Sequence, residues 1–185
     1  MEMPERRRAL LAAGKDLILS QGFTGTAVDE ICDRAGVTKG AFFHYWPTKE
    51  EYGRDLLAHT WQAFEQAHPE NSSPPATLDE HIDFMTRFIA SDGRLIPMMA
   101  QELGAASPEI GAQVRGYFAT WTRWLTTALE TAAAGRPGFE SRSVMEFIIA
   151  SIEGVPVVAA QFGPDAVTHT AEHLKRYVDT FVTTR

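Results

Sequence analysis

Read for the spacing of its apolar positions, the chain is helical throughout. Between Ser107 and Gly135, the residues Ile110, Val114, Tyr117, Phe118, Trp121, Trp124, Leu125, Ala128 and Leu129 trace one face of a single long helix. No sustained alternation of apolar and polar residues bounded by turns marks a strand. Capping signals divide the remainder. A first helix is expected from Pro4 to Ser20, with Gly22 as its terminator. Thr26, with Asp29 close behind, opens a short second helix that ends at Gly36. Thr38 caps a third, which must stop near Tyr45 because Pro47 disfavours helical backbone at Trp46. Thr48 and Glu51 have the form of a capping box and open a fourth. Residues 67–76 are rich in Pro, Ser and Asn and read as a linker. Thr77 with Glu80 opens a fifth helix that Gly93 closes, and Leu95 to Leu103 forms a sixth. The long seventh follows Ser107-Pro108-Glu109. A break at Gly135 to Gly138 precedes an eighth helix, interrupted at Pro156 and ending near Phe162, and Gly163-Pro164-Asp165 starts a ninth. The expected fold is all-α, with about nine helices: an N-terminal three-helix helix-turn-helix domain over 1–50 and a helical bundle over 51–185.

The second helix, a glycine-containing turn and the third helix form the helix-turn-helix. Wound at about 100° per residue, the third helix places Thr38, Ala41, Phe42 and Tyr45 on one face and Lys39, Gly40, Phe43 and His44 on the other. The first face is core, with Phe42 against the two preceding helices. The second is unusual for solvent: a cation, a glycine that lets backbone approach, an aromatic ring and an imidazole. It suits a DNA major groove, with Lys39 and Lys49 on phosphates and His44 on a phosphate or base edge. The helix starts at Thr26, Thr38 and Thr48 can offer amide groups to phosphate oxygens. The candidate DNA-contacting residues are Thr26, Thr38, Lys39, Gly40, Phe43, His44, Tyr45 and Lys49.

The stretch Gly22-Phe23-Thr24-Gly25-Thr26-Ala27-Val28-Asp29-Glu30-Ile31, followed by Ala35-Gly36-Val37-Thr38-Lys39-Gly40-Ala41-Phe42-Phe43-His44-Tyr45-Trp46-Pro47-Thr48-Lys49-Glu50, resembles the signature of TetR/AcrR-family transcriptional regulators. The resemblance covers about residues 5–57. Two positions depart from the family pattern: Phe43 stands where a tyrosine is usual, which removes a phenolic hydroxyl from the DNA face, and Trp46 where a phenylalanine is usual. The resemblance extends more weakly through Leu95–Leu103, the Ala-Ser-Pro-Glu turn, the seventh helix and Glu153-Gly154. It implies a cytoplasmic regulator, a repressor that a small molecule releases from double-stranded operator DNA. It also implies an effector site among helices four to eight and a homodimer formed through the last two helices.

The residues themselves support that picture. In the ninth helix Val167, Ala171, Leu174, Val178 and Phe181 make a heptad-like seam. The eighth is apolar on more than one side, Phe147 and Ile152 included, and so needs cover on two faces. These seven are the expected dimer-interface residues. Aromatic and Met side chains that could line an apolar effector site are Trp61, Phe84, Met85, Phe88, Met98, Met99, Tyr117, Trp121 and Trp124. Glu102 and Glu153 sit among apolar neighbours, where each could orient an effector or satisfy a local hydrogen bond. With one carboxylate facing Met98, Met99 and the seventh-helix aromatics, the site would suit a compact apolar effector, neutral or cationic at the end that meets Glu102.

The net formal charge of −7, taken alone, argues against DNA. Its distribution removes the objection. Residues 1–50 hold seven Lys/Arg and seven Asp/Glu, so the whole excess of acid lies in 51–185. A local patch is what DNA requires, and Arg6, Arg7, Arg8, Lys39, His44 and Lys49 can supply it. Enzyme chemistry finds no support: no nucleophile-base-orienter set, phosphate loop or metal set stands out, and no cofactor is expected. His169 and His173 are one helical turn apart but lack a third ligand, so no metal is expected. The single cysteine, Cys32, can form no internal disulfide, which fits a reducing compartment. No uninterrupted apolar run reaches the roughly 18 residues that span a bilayer, and no membrane partner is expected.

Overall fold

The computed structural model describes residues 5–68, 77–134, 136 and 138–182. Among these there are nine α-helices and no strand: α1 (Glu5–Gln21), α2 (Val28–Ala35), α3 (Lys39–Tyr45), α4 (Lys49–Ala67), α5 (Leu78–Ala90), α6 (Leu95–Leu103), α7 (Pro108–Ala132), α8 (Ser141–Phe162) and α9 (Asp165–Val182). The expected first-turn Pro4, the greater part of the expected linker (69–76) and Gly135 lie outside the described residues.

The chain forms two compact units, one of residues 1–62 with 95–115, the other of 63–94 with 116–185. The sequence-based division at residue 50 separates expected roles; the compact units interleave along the chain instead. In the first unit, α1, α2, α3, the start of α4, α6 and the start of α7 enclose Leu10, Leu11, Ile18, Ile31, Phe42, Leu56, Met99 and Ile110, each at most 1% exposed. Tyr52 from α4 lies across α1, and its hydroxyl donates to the Leu10 carbonyl at 2.9 Å. Only glycine fits beneath it: a Cβ on Gly14 would fall 1.7 Å from the Tyr52 oxygen. Gly36 ends α2 with φ 65°, the left-handed conformation that glycine adopts without strain, and the Val37 N–H returns to the Cys32 carbonyl at 3.0 Å.

The caps correct one expectation. Thr38, Thr48 and Thr77 cap their helices as expected, accepting from the N–H groups of Ala41, Glu51 and Glu80 at 3.3, 3.1 and 3.3 Å. Thr26 does not: it is 1% exposed, its hydroxyl donates to the Gly22 carbonyl at 2.7 Å, and Ala27 stands at the cap. Glu30 reaches back to accept the Ala27 N–H at 2.8 Å. Thr26 therefore closes the turn between α1 and α2 and is too buried to meet DNA.

In the second unit, α8 and α9 pack together and α5 packs on both. Ile148, Ile152 and Val155 from α8 and Leu174 and Val178 from α9 are at most 4% exposed. Lys175 of α9 joins α5 through Asp83 at 2.8 and 3.0 Å. Pro156 does not interrupt α8, which is continuous over Ser141–Phe162. A mid-helix proline removes one backbone bond and costs about 3 kcal/mol in isolation, but Ile152 and Val155 are anchored in the core beside it. By length and composition alone α8 is apolar enough to cross a membrane. Scattered polar residues such as Glu153 interrupt the apolar sequence of α8, so that it contains no long unbroken apolar run.

Candidate nucleic-acid interface and effector site

The third helix presents the exposed face expected of it, but of the face expected in the core only Phe42 is buried: Ala41 and Tyr45 are partly exposed and Thr38, at the cap, is exposed. Phe42 is fully buried, with its ring 5.2–5.3 Å from those of Phe43, Trp46 and Tyr52. Thr38, Lys39, Gly40, Phe43 and His44 are exposed, Phe43 at 42%. A Cβ on Gly40 would meet nothing within 4 Å, so this position leaves open space at the surface. The Lys39 ammonium pairs with Asp29 at 2.7 Å across two exposed side chains, a contact that water and phosphate can exchange cheaply. Tyr45 is only half-exposed and lines a groove of about 780 Å³ with Pro47, Arg54 and Asp55, apart from the Lys39 face. Arg6 and Arg8 are exposed, whereas Arg7 is committed to Asp55, which also accepts the Trp46 indole N–H at 2.8 Å. The larger indole thus gains a polar anchor beyond its packing role.

Two sequence candidates have other partners. Lys49 folds back onto the turn between α1 and α2: its ammonium donates to the Thr24 carbonyl at 3.5 Å and lies 4.6 Å from the Phe23 ring centroid. Burial lowers its pKa, and Glu50, Glu102 and Glu30 only partly offset that. Glu102 is no orphan carboxylate awaiting an effector. It accepts from the backbone N–H groups of Phe23 at 3.1 Å and Thr24 at 2.9 Å. Burial tends to raise its carboxyl, but these donors and the Lys49 ammonium outweigh it and hold the group below the usual glutamate value. The contact joins residues 79 positions apart, so no local spacing could have announced it.

The effector-site candidates divide between the two units. Trp61, Met98, Met99 and Glu102 belong to the first, where Met99 is fully buried beside Gly53. Phe84, Met85, Phe88, Tyr117, Trp121, Trp124 and Glu153 belong to the second. There Met85 and Trp121 are buried, at 3% and 5% exposure. The Trp124 ring stacks on His68 at 4.3 Å and on Phe64 at 5.8 Å, and Phe84 and Phe88 flank Phe64. His68 and His81 were missed by sequence reasoning. Both are 2% exposed, with Nε2 of one and Nδ1 of the other 3.3 Å apart. Burial, and then His81, push His68 down to about 4, so it is neutral at pH 7. Thirteen residues separate the pair, beyond any helical period. Glu153 is mostly buried, its Oε1 has no hydrogen-bond partner among the described residues, and burial pushes its carboxyl up to about 7.

The expected interface residues are redistributed as well. Ile152, Ala171, Leu174 and Val178 are at most 7% exposed within one chain, because the heptad-like seam of α9 faces α8 and α5. Val167 and Phe181 are partly exposed, and Phe147 is 45% exposed. The apolar surface left open on α8 and α9 is instead Phe147, Val157, Val158, Phe162 and Tyr177. Beside it lies a groove of about 510 Å³ lined by Phe147, Ser151, His169, His173 and Tyr177.

Residues 10–51 match the model of the bacterial regulatory proteins, tetR family. The HTH-type transcriptional repressor NemR of Escherichia coli K12 is 40% identical over 62 residues, 34% of this chain and 31% of NemR. The transcriptional regulator AcuR of Cereibacter sphaeroides is 30% identical over 125 residues, 63% of this chain and 57% of AcuR. The chain thus spans about a third and somewhat over half of these two relatives. A Saccharomonospora viridis protein solved in complex with choline is 14% identical, covers 99% of this chain and 100% of its own, and superposes with a TM-score of 0.81, which shows a shared fold. Residues 10–51 thus carry a helix-turn-helix of the tetR-family type, and the all-α fold around it is shared with solved structures described as TetR/AcrR-family regulators, one of them 20% identical over 94% of this chain with a TM-score of 0.78.

Proposed function

We propose that the protein is a dimeric, effector-responsive transcriptional regulator of the bacterial cytoplasm, a repressor rather than an enzyme. The observation that carries this reading is the α3 surface. Lys39, Gly40, Phe43 and His44 are all exposed on a helix whose other face is fixed by fully buried Phe42. Exposed Phe43 has no value in water, but an apolar ring can meet a thymine methyl or a sugar, and its neighbours can meet phosphates. One recognition helix reads one half-site, so a dimer is needed for two half-sites about 34–36 Å apart. The open α8–α9 face, with Phe147, Val158, Phe162 and Tyr177, is the surface we assign to that dimer.

For the effector we favour the second unit. Met85, Trp121 and Trp124 supply apolar and aromatic surface, and Glu153 supplies a mostly buried oxygen without a partner among the described residues. A compact apolar effector with a hydrogen-bonding or cationic end fits that chemistry. The Saccharomonospora viridis protein, of the same fold, is in complex with choline, itself a cation. Selection of bound duplexes from genomic fragments, followed by fluorescence anisotropy, tests the whole reading. A single preferred palindromic site with steep salt dependence is expected; binding that shows no sequence preference at any salt concentration would sink it.

A further inference from the structure

The turn between α1 and α2 carries α2 and, through it, α3. Gly22, Phe23 and Thr24 of this turn are gripped on both sides of their backbone. Glu102, in the last turn of α6, accepts the Phe23 and Thr24 N–H groups at 3.1 and 2.9 Å. Lys49 donates to the Thr24 carbonyl at 3.5 Å and lies beside the Phe23 ring. The fit leaves no slack. Gly22 has φ +82°, and a Cβ there would lie 2.5 Å from Glu102 Oε1. The Phe23 ring is 2% exposed, and a Cβ on Gly53 would come within 2.6 Å of it and 3.1 Å of Met99. Hydrogen bonds from amides to an ionised carboxylate are about twice as strong as neutral ones. Glu30 and Thr26 hold α2 and the turn locally. Glu102 alone among these carboxylates comes from beyond residue 62, yet it belongs to the same compact unit.

We propose that Glu102 is a positioning residue for DNA binding: it touches no DNA, but it fixes the α1–α2 turn and with it the orientation of the helix-turn-helix. The proposal rests on the DNA-binding reading above. A merely structural carboxylate would lower the melting temperature and leave the affinity of the folded protein unchanged. A positioning residue lowers the affinity of the folded protein at a constant number of phosphate contacts.

The full chain is tested with Glu102→Ala, Glu102→Gln and Gly22→Ala, using a duplex that the wild type selects from random-sequence DNA. Anisotropy is measured across a salt series well below each variant's melting temperature, and amide hydrogen exchange is followed at Phe23 and Thr24. Glu102→Ala is expected to bind about tenfold more weakly, as expected for losing a charge-assisted bond. Glu102→Gln, which keeps one neutral acceptor, should lose about threefold. The slope of log K against log salt should stay that of the wild type, and both amides should exchange at least tenfold faster in Glu102→Ala. Should Glu102→Ala fail to fold, the Gln and Gly22 variants decide. Wild-type affinity in the folded variants, tighter binding, or unchanged amide exchange would overturn the role of Glu102. A wild type that selects no duplex would instead remove the DNA-binding reading, and the proposal with it.

Discussion

If the open α8–α9 face carries the proposed dimer, replacing Phe162 by alanine separates the stability of the protomer from that of the association. Phe162, the last residue of α8, is 83% exposed within one chain. Fully burying a phenylalanine is worth up to about 3 kcal/mol, so covering its open part contributes up to about 2.5 kcal/mol. In a two-fold interface the residue counts twice, for a ceiling of about 5 kcal/mol. Phe162→Ala should therefore raise the dimer Kd measurably, by at most a few thousandfold. The protomer should lose no more than about 0.5 kcal/mol, since little of the ring is buried. Leu174→Ala should behave in the opposite way: at 4% exposure it opens a cavity in the α8–α9 core and costs about 2–5 kcal/mol before any partner arrives. Sedimentation equilibrium gives the Kd. Denaturant unfolding, at a concentration where both proteins are monomeric, gives the protomer stability and removes the mass-action effect of association. A Phe162→Ala protein that dimerises as tightly as wild type would place the interface away from this face. One that loses several kcal/mol as a monomer would contradict the exposure on which the argument stands.

Lys39→Ala should flatten the log-log salt slope of DNA binding by about one unit, whereas Lys49→Ala should leave the slope nearly unchanged, because the Lys49 ammonium is engaged with Thr24 and Phe23. Gly14→Ala should destabilise the protein by about 1–2 kcal/mol in thermal or urea unfolding, since the overlap with the Tyr52 hydroxyl outweighs the gain of about 1 kcal/mol in helix propensity. Glu153 predicts a pH dependence. Its folded carboxyl, raised to about 7, keeps a proton that the unfolded chain releases above its ordinary value near 4.5, so its contribution to stability falls as pH rises between the two. Glu153→Gln should accordingly melt higher than wild type at pH 8 and match it at pH 4; equal melting at pH 8 would refute the burial argument. His68 has the reverse sign: neutral when folded, it costs stability as pH falls from 6.5 towards 4, and His68→Phe should reduce the acid sensitivity of unfolding.

The helices and most of their limits follow from the chain alone, because caps and apolar periods act over three to seven residues. Thr38, Thr48 and Thr77 bond the amides three positions on, and the 100° winding of α3 suffices to separate buried Phe42 from exposed Lys39 and His44. The same local rules misplace whatever depends on a second element. Thr26 has the chemistry of a cap, but the turn after α1 buries it. The α9 seam has the spacing of an interface, yet a helix apolar along one stripe cannot say whether α8 and α5 or a second subunit covers it. Glu102 and Lys49 each carry a charge that could serve a ligand or a phosphate. Only the tertiary structure brings both to the backbone of one turn, across intervals of 78 and 25 residues, and pairs His68 with His81. Sequence by itself determined which faces exist, since backbone winding is periodic and local. The tertiary structure decided which face meets which, since burial and charge pairing depend on neighbours distant along the chain.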